Sequence, residues 1–413
     1  MLIPGESMAE RQYDVVLYGA TGFTGRQTVQ YFARNTKPGE LRWAIAGRNP
    51  QQLAVVKQQA GEGASAADII IADARDQKAI DAMVARTRIL LTTAGPFSLY
   101  GSGIVDACVR LRSHYVDITG ETPWVRDLID RHHAQAAADG TRIVPCCGFD
   151  SVPSDLGAYL VVRHMQKELG VNCRQVKGYY RFSGGLNGGT FASALNMNQS
   201  GGAARMQEMF LLNPPRERSE DEKSNNRDSR SAQFDPDIHA WSVPFFMGMT
   251  NSRIVRRSAG LFEQWQQPYG PQFGYQEFQK LSSGLRARGL LFSLGMFQLT
   301  MRNGVGRRFL KALAPSPGQG PSEKTMDHGF FQCELVGIAD DGRKVRGEIS
   351  DKGDPGNRAT VKLLCESALA LALNFDALPG GARRGGILTP ATALGDVLAE
   401  RLRKAGMKVV VGL

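Results

Sequence analysis

The sequence predicts an α/β protein with an N-terminal doubly wound parallel sheet of the Rossmann type, followed by a second, strand-rich α+β domain. Three observations carry this. An apolar run, Val15–Tyr18, ends in Gly19, Gly22 and Gly25, and a helical stretch from Arg26 to Arg34 follows. Similar apolar runs then recur between helical patterns as far as Cys147, and the pattern changes from Leu156 onward. A chain of 413 residues also exceeds one ordinary core, which favours two domains.

The opening unit reads D-V-V-L-Y-G-A-T-G-F-T-G from Asp14 to Gly25. A strand, a glycine turn and a helix in this order set backbone N–H groups and a helix N-terminus against a pyrophosphate. Gly19 allows the sharp exit from the strand, Gly22 the close approach of backbone to ligand, and Gly25 the tight packing of helix on sheet. The turn Gly19, Ala20, Thr21, Gly22, Phe23, Thr24 and Gly25 is therefore the expected phosphate cradle.

The later strands are expected at Leu41–Ala46, Asp68–Ile71, Arg88–Thr93, Tyr115–Ile118 and Arg142–Cys147. Helical patterns at Gln51–Gln59, Lys78–Ala85, Gly103–Arg110 and Trp124–Ala138 separate them. Runs of Val, Ile and Leu this continuous fit strands covered on both faces by helices. Six such strands make one dinucleotide-binding domain, assigned to residues 1–155.

The second domain is assigned to residues 156–385. A helix from Leu156 to Lys167 leads into alternating patterns at Gln175–Phe182 and Phe330–Gly337, with a glycine-rich stretch at Ser183–Gly189. Residues 214–237 are polar and nearly free of apolar side chains, which predicts a flexible surface loop. From Leu285 to Leu313 an apolar run is bounded by Arg286, Arg288, Arg302, Arg307, Arg308 and Lys311. Such a segment suits a core or subunit-interface helix, as in a homodimer, or an in-plane contact with a membrane or acyl chain. Near the end of the chain Thr389 reads as an N-cap, Pro390 as the first helical residue and Gly406 as a stop signal.

Composition excludes several classes. Hydrophobic content of 42% and charged content of 22% are those of an ordinary globular protein. The net charge of +10 comes without a dense Lys/Arg block or a nucleic-acid motif, so small anionic ligands or lipid headgroups fit better than nucleic acid. The six cysteines lack a C-x-x-C pair, and with the six histidines show no metal spacing, which predicts reduced buried thiols, no metal site and a cytoplasmic setting. Met1–Arg11 lacks the apolar core of a leader, and no apolar run is long enough to span a bilayer.

The strand ends carry the chemistry. The second strand ends in A-G-R-N, so Arg48 and Asn49 stand where an NAD-type site has an acid. An arginine there can pair with a 2′-phosphate, which favours NADP. Asp73, after the third strand, sits near an adenine position or caps its loop. Thr93, Ala94, Gly95 and Pro96 end the fourth strand beside the switch point, where backbone would line the nicotinamide ribose. Hydride transfer needs a group that supplies or takes a proton. Asp117, Tyr100, Glu121 and Asp150 fall on the same edge, and the last three are the catalytic candidates. No tyrosine is followed four residues later by lysine, and neither a G-x-S-x-G elbow nor an H-E-x-x-H helix occurs.

Taken together, Y-G-A-T-G-F-T-G, A-G-R, A-G-P-F-S-L-Y-G, Y-V-D-I-T-G-E, G-F-D-S-V-P-S-D-L-G and the tail G-G-I-L-T-P-A-T-A-L-G resemble the saccharopine dehydrogenase-like oxidoreductases, nearest to their trans-acting enoyl reductase branch. G-D-P-G at Gly353–Gly356 and E-S-A-L at Glu366–Leu369 fit as well. The resemblance spans nearly the whole chain. It implies an N-terminal NADP-binding domain, a second domain with a mixed sheet, and a C-terminal segment, 386–413, packing back onto the first domain. One branch of the family acts on saccharopine and another reduces enoyl groups of polyketide-type lipid intermediates. The apolar 285–313 stretch favours a lipid-like substrate, with NADPH delivering hydride to the β-carbon of an α,β-unsaturated thioester. A saccharopine-type dehydrogenase and a non-catalytic NADP-binding regulator or scaffold are the alternatives.

Overall fold

The computed structural model describes residues 11–185, 187–189, 193, 202–313 and 318–412. Leu186 of the glycine-rich stretch, and residues 1–10 of the segment read as lacking a leader, lie outside them. Among the described residues, two seven-stranded sheets organise the chain.

In the first sheet, β1 (Tyr13–Tyr18), β2 (Trp43–Gly47), β3 (Asp68–Ile71), β4 (Thr87–Thr92), β5 (His114–Asp117), β6 (Arg142–Val144) and β13 (Gly386–Ile387) are all parallel, in the order β13-β6-β5-β4-β1-β2-β3. This is the doubly wound order, with its reversal between β1 and β4. Cover on both faces explains why β1 is apolar from Val15 to Tyr18. Val15 and Leu17 enter a core shared with Val29 and Phe32 of the helix Phe23–Asn35, while Val16 and Tyr18 enter a second core with Ile80, Met83, Ile104 and Leu128 on the opposite face. The helix Thr360–Leu373 also lies against this sheet, and its Glu366 accepts the Tyr31 hydroxyl at 2.7 Å.

The sheet has seven strands where the sequence reading gave six. The additional one, Gly386–Ile387, is two residues long and has no periodicity to detect. It is held by Gly386 N–H to Thr141 O and Leu388 N–H to Ile143 O, both at 2.8 Å.

The second sheet contains β7 (Cys173–Ser183), β8 (Gln233–Asp235), β9 (Ala240–Pro244), β10 (Gly274–Leu281), β11 (Phe330–Ala339), β12 (Lys344–Lys352) and β14 (Lys408–Val411), in the order β14-β12-β11-β7-β10-β9-β8. It is mixed: β7 and β10 run parallel, and the other pairs are antiparallel. The helix Val152–Glu168 packs on it through Leu156, Val161 and Met165, in the same core that reaches β1. After β13, Thr389 caps the helix Pro390–Lys404 in a capping box with Thr392, and Leu394, Leu398 and Leu402 are buried. The strand that follows, β14, pairs with β12, so Gly386–Val411 contributes one strand to each sheet.

The stretch 214–237, read as a flexible loop, carries the helix Glu220–Asn225 and β8. Its fully buried Asn226 accepts from Arg256 Nε at 2.9 Å and donates to Phe273 O at 2.9 Å, anchoring a segment that composition alone marks as solvated. All six cysteines are free and buried. The 285–313 region forms two helices, Gly284–Arg302 and Gly304–Leu313.

Candidate functional site

Parallel strands deliver their carboxyl ends to one edge, and the cofactor and catalytic candidates follow the ends of β1 to β6 in the chain. At the end of β1, Gly19 adopts φ 86°, the left-handed region open to glycine, and a Cβ on it would lie 2.9 Å from Ala94 N. Gly22 N–H closes the turn on Gly19 O at 3.0 Å. Gly22 also stands at the N-cap of the helix Phe23–Asn35, where no side chain caps the helix. Among the described residues no side chain caps the first-turn amides of Phe23, Thr24 and Gly25, which could therefore bind an anion. Ala20 is buried behind the turn, and Thr21 O accepts from Arg26 Nη1 at 2.8 Å. The stretch 318–320 lies over it: Gly318 O accepts from Arg26 Nη2 at 3.1 Å, and a Cβ on Gly320 would lie 2.4 Å from the Phe23 ring.

At the end of β2, Arg48 is exposed and makes no hydrogen bond or ion pair among the described residues. Its neighbour Asn49 caps the helix Pro50–Gln59, accepting Gln52 N–H at 2.9 Å. Asp73 accepts Arg75 N–H at 3.0 Å within its own turn. Asn49 and Asp73 thus shape their loops, while the Arg48 guanidinium keeps its donors.

Across the switch point, Thr93 N–H donates to Tyr18 O at 3.0 Å and Thr93 Oγ1 to Gly19 O at 3.2 Å. This ties the end of β4 to the glycine turn. Ala94 N–H donates to Thr92 Oγ1 at 3.2 Å, and the Gly95–Pro96 peptide is cis. The short helix Phe97–Tyr100 follows.

The carboxylates divide by what already occupies them. Glu121, buried, accepts Phe97 N–H at 2.9 Å, Ser98 N–H at 3.1 Å, Ser193 Oγ at 3.0 Å and the Ser98 hydroxyl. It fixes the loop after β4. Asp117, also buried, accepts Thr119 N–H, Cys146 N–H and the Tyr115 hydroxyl, tying β5 to β6; burial raises its pKa to about 7. Asp150 differs from both. Its carboxyl has no hydrogen-bond partner among the described residues, and burial alone raises its pKa to about 6. It lies beside Gly120: a Cβ there would be 3.9 Å from Asp150 Oδ2, 3.6 Å from Met247 Cε and 4.0 Å from Thr250 Cγ2. Tyr100 is half-buried on its short helix and its hydroxyl has no partner among the described residues.

Several residues at this edge were not singled out from the sequence. Met247, at the N-cap of the helix Gly248–Gln264, and Thr250, in its first turn, approach here, and Thr250 Oγ1 donates to Gly120 O at 3.4 Å. Asp354 begins a π-helical turn, Pro355–Ala359, accepting Arg358 N–H at 3.0 Å and Asn357 Nδ2 at 2.6 Å. Asn357 accepts Asn187 Nδ2 at 2.9 Å, and Thr360 Oγ1 accepts Phe149 N–H at 3.2 Å. The G-D-P-G motif was the signal for this last group, and its place opposite the end of β6 is visible only in three dimensions. Among the described residues no cluster of His, Cys, Asp or Glu could hold a metal ion.

The arrangement suits a dinucleotide with a 2′-phosphate. The uncapped helix N-terminus and the glycine turn could accommodate a pyrophosphate, Arg48 has donors to spare, and Asp150 could hold or release a proton.

Comparison with known proteins points to the same cofactor. The saccharopine dehydrogenase NADP binding domain family matches residues 15–144. A Mycobacterium ulcerans protein named trans-acting enoyl reductase is 34% identical over 98% of both chains. A protein of that name from Mycobacterium tuberculosis is 35% identical over 98% of this chain and 99% of its own. Another Mycobacterium tuberculosis protein, named provisionally for the same activity, is 37% identical over 97% of both chains. Among solved structures, saccharopine dehydrogenase (L-Glu forming) from Saccharomyces cerevisiae superposes with a TM-score of 0.52 at 13% identity, covering 97% of this chain and 99% of that one. Homospermidine synthase from Legionella pneumophila, in complex with NAD, gives 0.51 at 12% identity over 96% and 90%. At those identities the two structures speak for the fold alone.

Proposed function

Because the chain belongs to the saccharopine dehydrogenase-like oxidoreductases, in the trans-acting enoyl reductase branch, and is an NADP-dependent enzyme, we propose that it reduces the enoyl group of an acyl or polyketide-like thioester. Residues 1–155 would bind the cofactor and residues 156–385 the substrate, between the carboxyl edge of the first sheet and the helix Gly248–Gln264. Bound NADPH supplies the hydride. The glycine turn and the amides of Phe23–Gly25 hold the pyrophosphate, Arg48 pairs with the 2′-phosphate, and Thr93–Pro96 shape the pocket beside the switch point. Glu121 positions that loop and is not available to transfer a proton.

Asp150 is the group that gives the α-carbon its proton. The observation that carries this role is a half-buried carboxyl with no hydrogen-bond partner among the described residues, since an acid whose pKa desolvation raises can stay protonated into the range where it must donate. Tyr100 is the second donor to test. The enoyl substrate class rests on the end-to-end likeness to relatives of that name. An amino-dicarboxylate substrate would call for free arginines. The three buried arginines of the helix Gly248–Gln264 are committed instead: Arg253 and Arg256 to Asp228, Arg257 to the carbonyls of Leu212 and Ile387.

The test is single-turnover oxidation of enzyme-bound NADPH by an enoyl thioester and by saccharopine. Oxidation by the enoyl thioester alone is expected. Oxidation by saccharopine alone would overturn the substrate class, and NADPH binding without oxidation by either would point to the non-catalytic regulator.

A further inference from the structure

The helix Gly284–Arg302 is apolar on two opposite sides. One side packs toward β8, β9 and β10, where Ala287 and Met301 are buried and Leu290, Leu291 and Leu294 are half-buried. The other carries Leu285, Phe292, Met296 and Leu299, at spacings of seven, four and three, which align them in one stripe. That stripe is open. Leu285 is 83% exposed, Phe292 71% and Leu299 59%, and a Cβ on Gly289 or Gly295 would meet no atom within 4 Å. Val305 of the next helix, Gly304–Leu313, is 73% exposed. Single exposed apolar side chains are ordinary, but a contiguous stripe marks a contact surface.

Charge decides between occupants. From Leu285 to Leu313 there are six basic residues and no acidic one. Two copies meeting through this surface would bring twelve (6 + 6) like charges together. A surface of anionic headgroups would neutralise them, and exposed Arg286, Arg288 and Arg308 flank the apolar stripe as such a surface requires. Among the described residues no helix is long and apolar enough to cross a membrane.

We propose that the helix pair 284–313 docks the enzyme in the plane of an anionic lipid bilayer, burying Leu285, Phe292, Met296 and Leu299 at the headgroup boundary while its arginines pair with lipid phosphates. The site is distinct from the cofactor edge, so docking and NADPH binding separate experimentally.

Cosedimentation of the full chain with vesicles of phosphatidylcholine containing phosphatidylglycerol, against pure phosphatidylcholine, tests this. The wild type is expected on the anionic vesicles at low salt, with much less bound at about 0.5 M salt, where charge screening reaches only a few Å. The triple variant Leu285→Ser/Phe292→Ser/Leu299→Ser and, separately, Arg286→Glu/Arg288→Glu should each bind at least ten-fold more weakly, with NADPH affinity unchanged. The charge-reversal variant alters only exposed positions and keeps the test decisive if the triple variant misfolds. Equal binding to both vesicle types, no binding by the wild type, or retained binding by the charge-reversal variant would overturn the proposal. So would a wild-type dimer in light scattering that the variants convert to monomer without any vesicle binding, which would assign the face to a second copy.

Discussion

A Cβ placed on Gly25 would lie 2.1 Å from the carbonyl oxygen of Gly19. The first turn of the helix Phe23–Asn35 therefore sits directly on the exit from β1, with no room for a side chain. Gly25→Ala would have to separate the two. The expected result is a loss of about 1–3 kcal/mol in stability, the range for overpacking a tight site, together with loss of NADPH binding. Thermal melts with and without NADPH check both, and an unaltered affinity would remove the turn from the cofactor site.

Arg48 offers a sharper discrimination. Loss of a charge-assisted contact of about 1.5–3 kcal/mol corresponds to roughly 10–100-fold in affinity. Arg48→Ala should weaken NADPH by that factor and leave NADH unchanged in calorimetric titrations. An equal effect on both cofactors would place the arginine elsewhere than on the 2′-phosphate.

Asp150 gives two pH signatures. As a proton donor it must be protonated, so turnover should fall as pH rises through about 6. Asp150→Asn should flatten that limb and lower kcat by about 10²–10⁴-fold. The stability signature has the opposite origin but the same direction. The folded carboxyl holds its proton up to about pH 6, whereas the unfolded one releases it near about 4. The stability tied to this proton is complete below the unfolded value and is lost as pH rises through the folded one. Asp150→Asn should therefore melt higher than wild type above pH 7, and a difference that does not change with pH would refute the assignment.

Glu121→Ala strands the amides of Phe97 and Ser98. An unsatisfied buried group costs about 1–3 kcal/mol, so urea unfolding should show at least one such loss. Glu121→Gln, which keeps one acceptor oxygen, should recover part of it. A variant with native stability but no turnover would instead return Glu121 to the catalytic candidates.

How much of this the sequence discloses depends on the range of the forces involved. The strands β1 to β6 are legible because helices cover both of their faces, so runs such as Val15–Tyr18 and Ile89–Leu91 are apolar. Thr389 and Pro390 are legible because a cap acts within one turn. Glu121 is not: its partners Phe97 and Ser98 lie on another strand's loop, and in sequence it is one more acid at a strand end. Asp150 is identified by the lack of a hydrogen-bond partner among the described residues, which no local pattern encodes. Residues 214–237 look solvated because their anchors, Arg256 and Phe273, belong to other elements.

The stretch Gly386–Val411 has a consequence for synthesis. Because it supplies an edge strand to each sheet, neither sheet is finished while only the preceding chain has left the ribosome. Until then the outer backbone groups of Arg142–Val144 and of Gly347–Ser350 stand open as templates for a foreign strand. A nascent chain stalled before Gly386 should accordingly be a better client for chaperones, and a worse one for solubility, than one released whole.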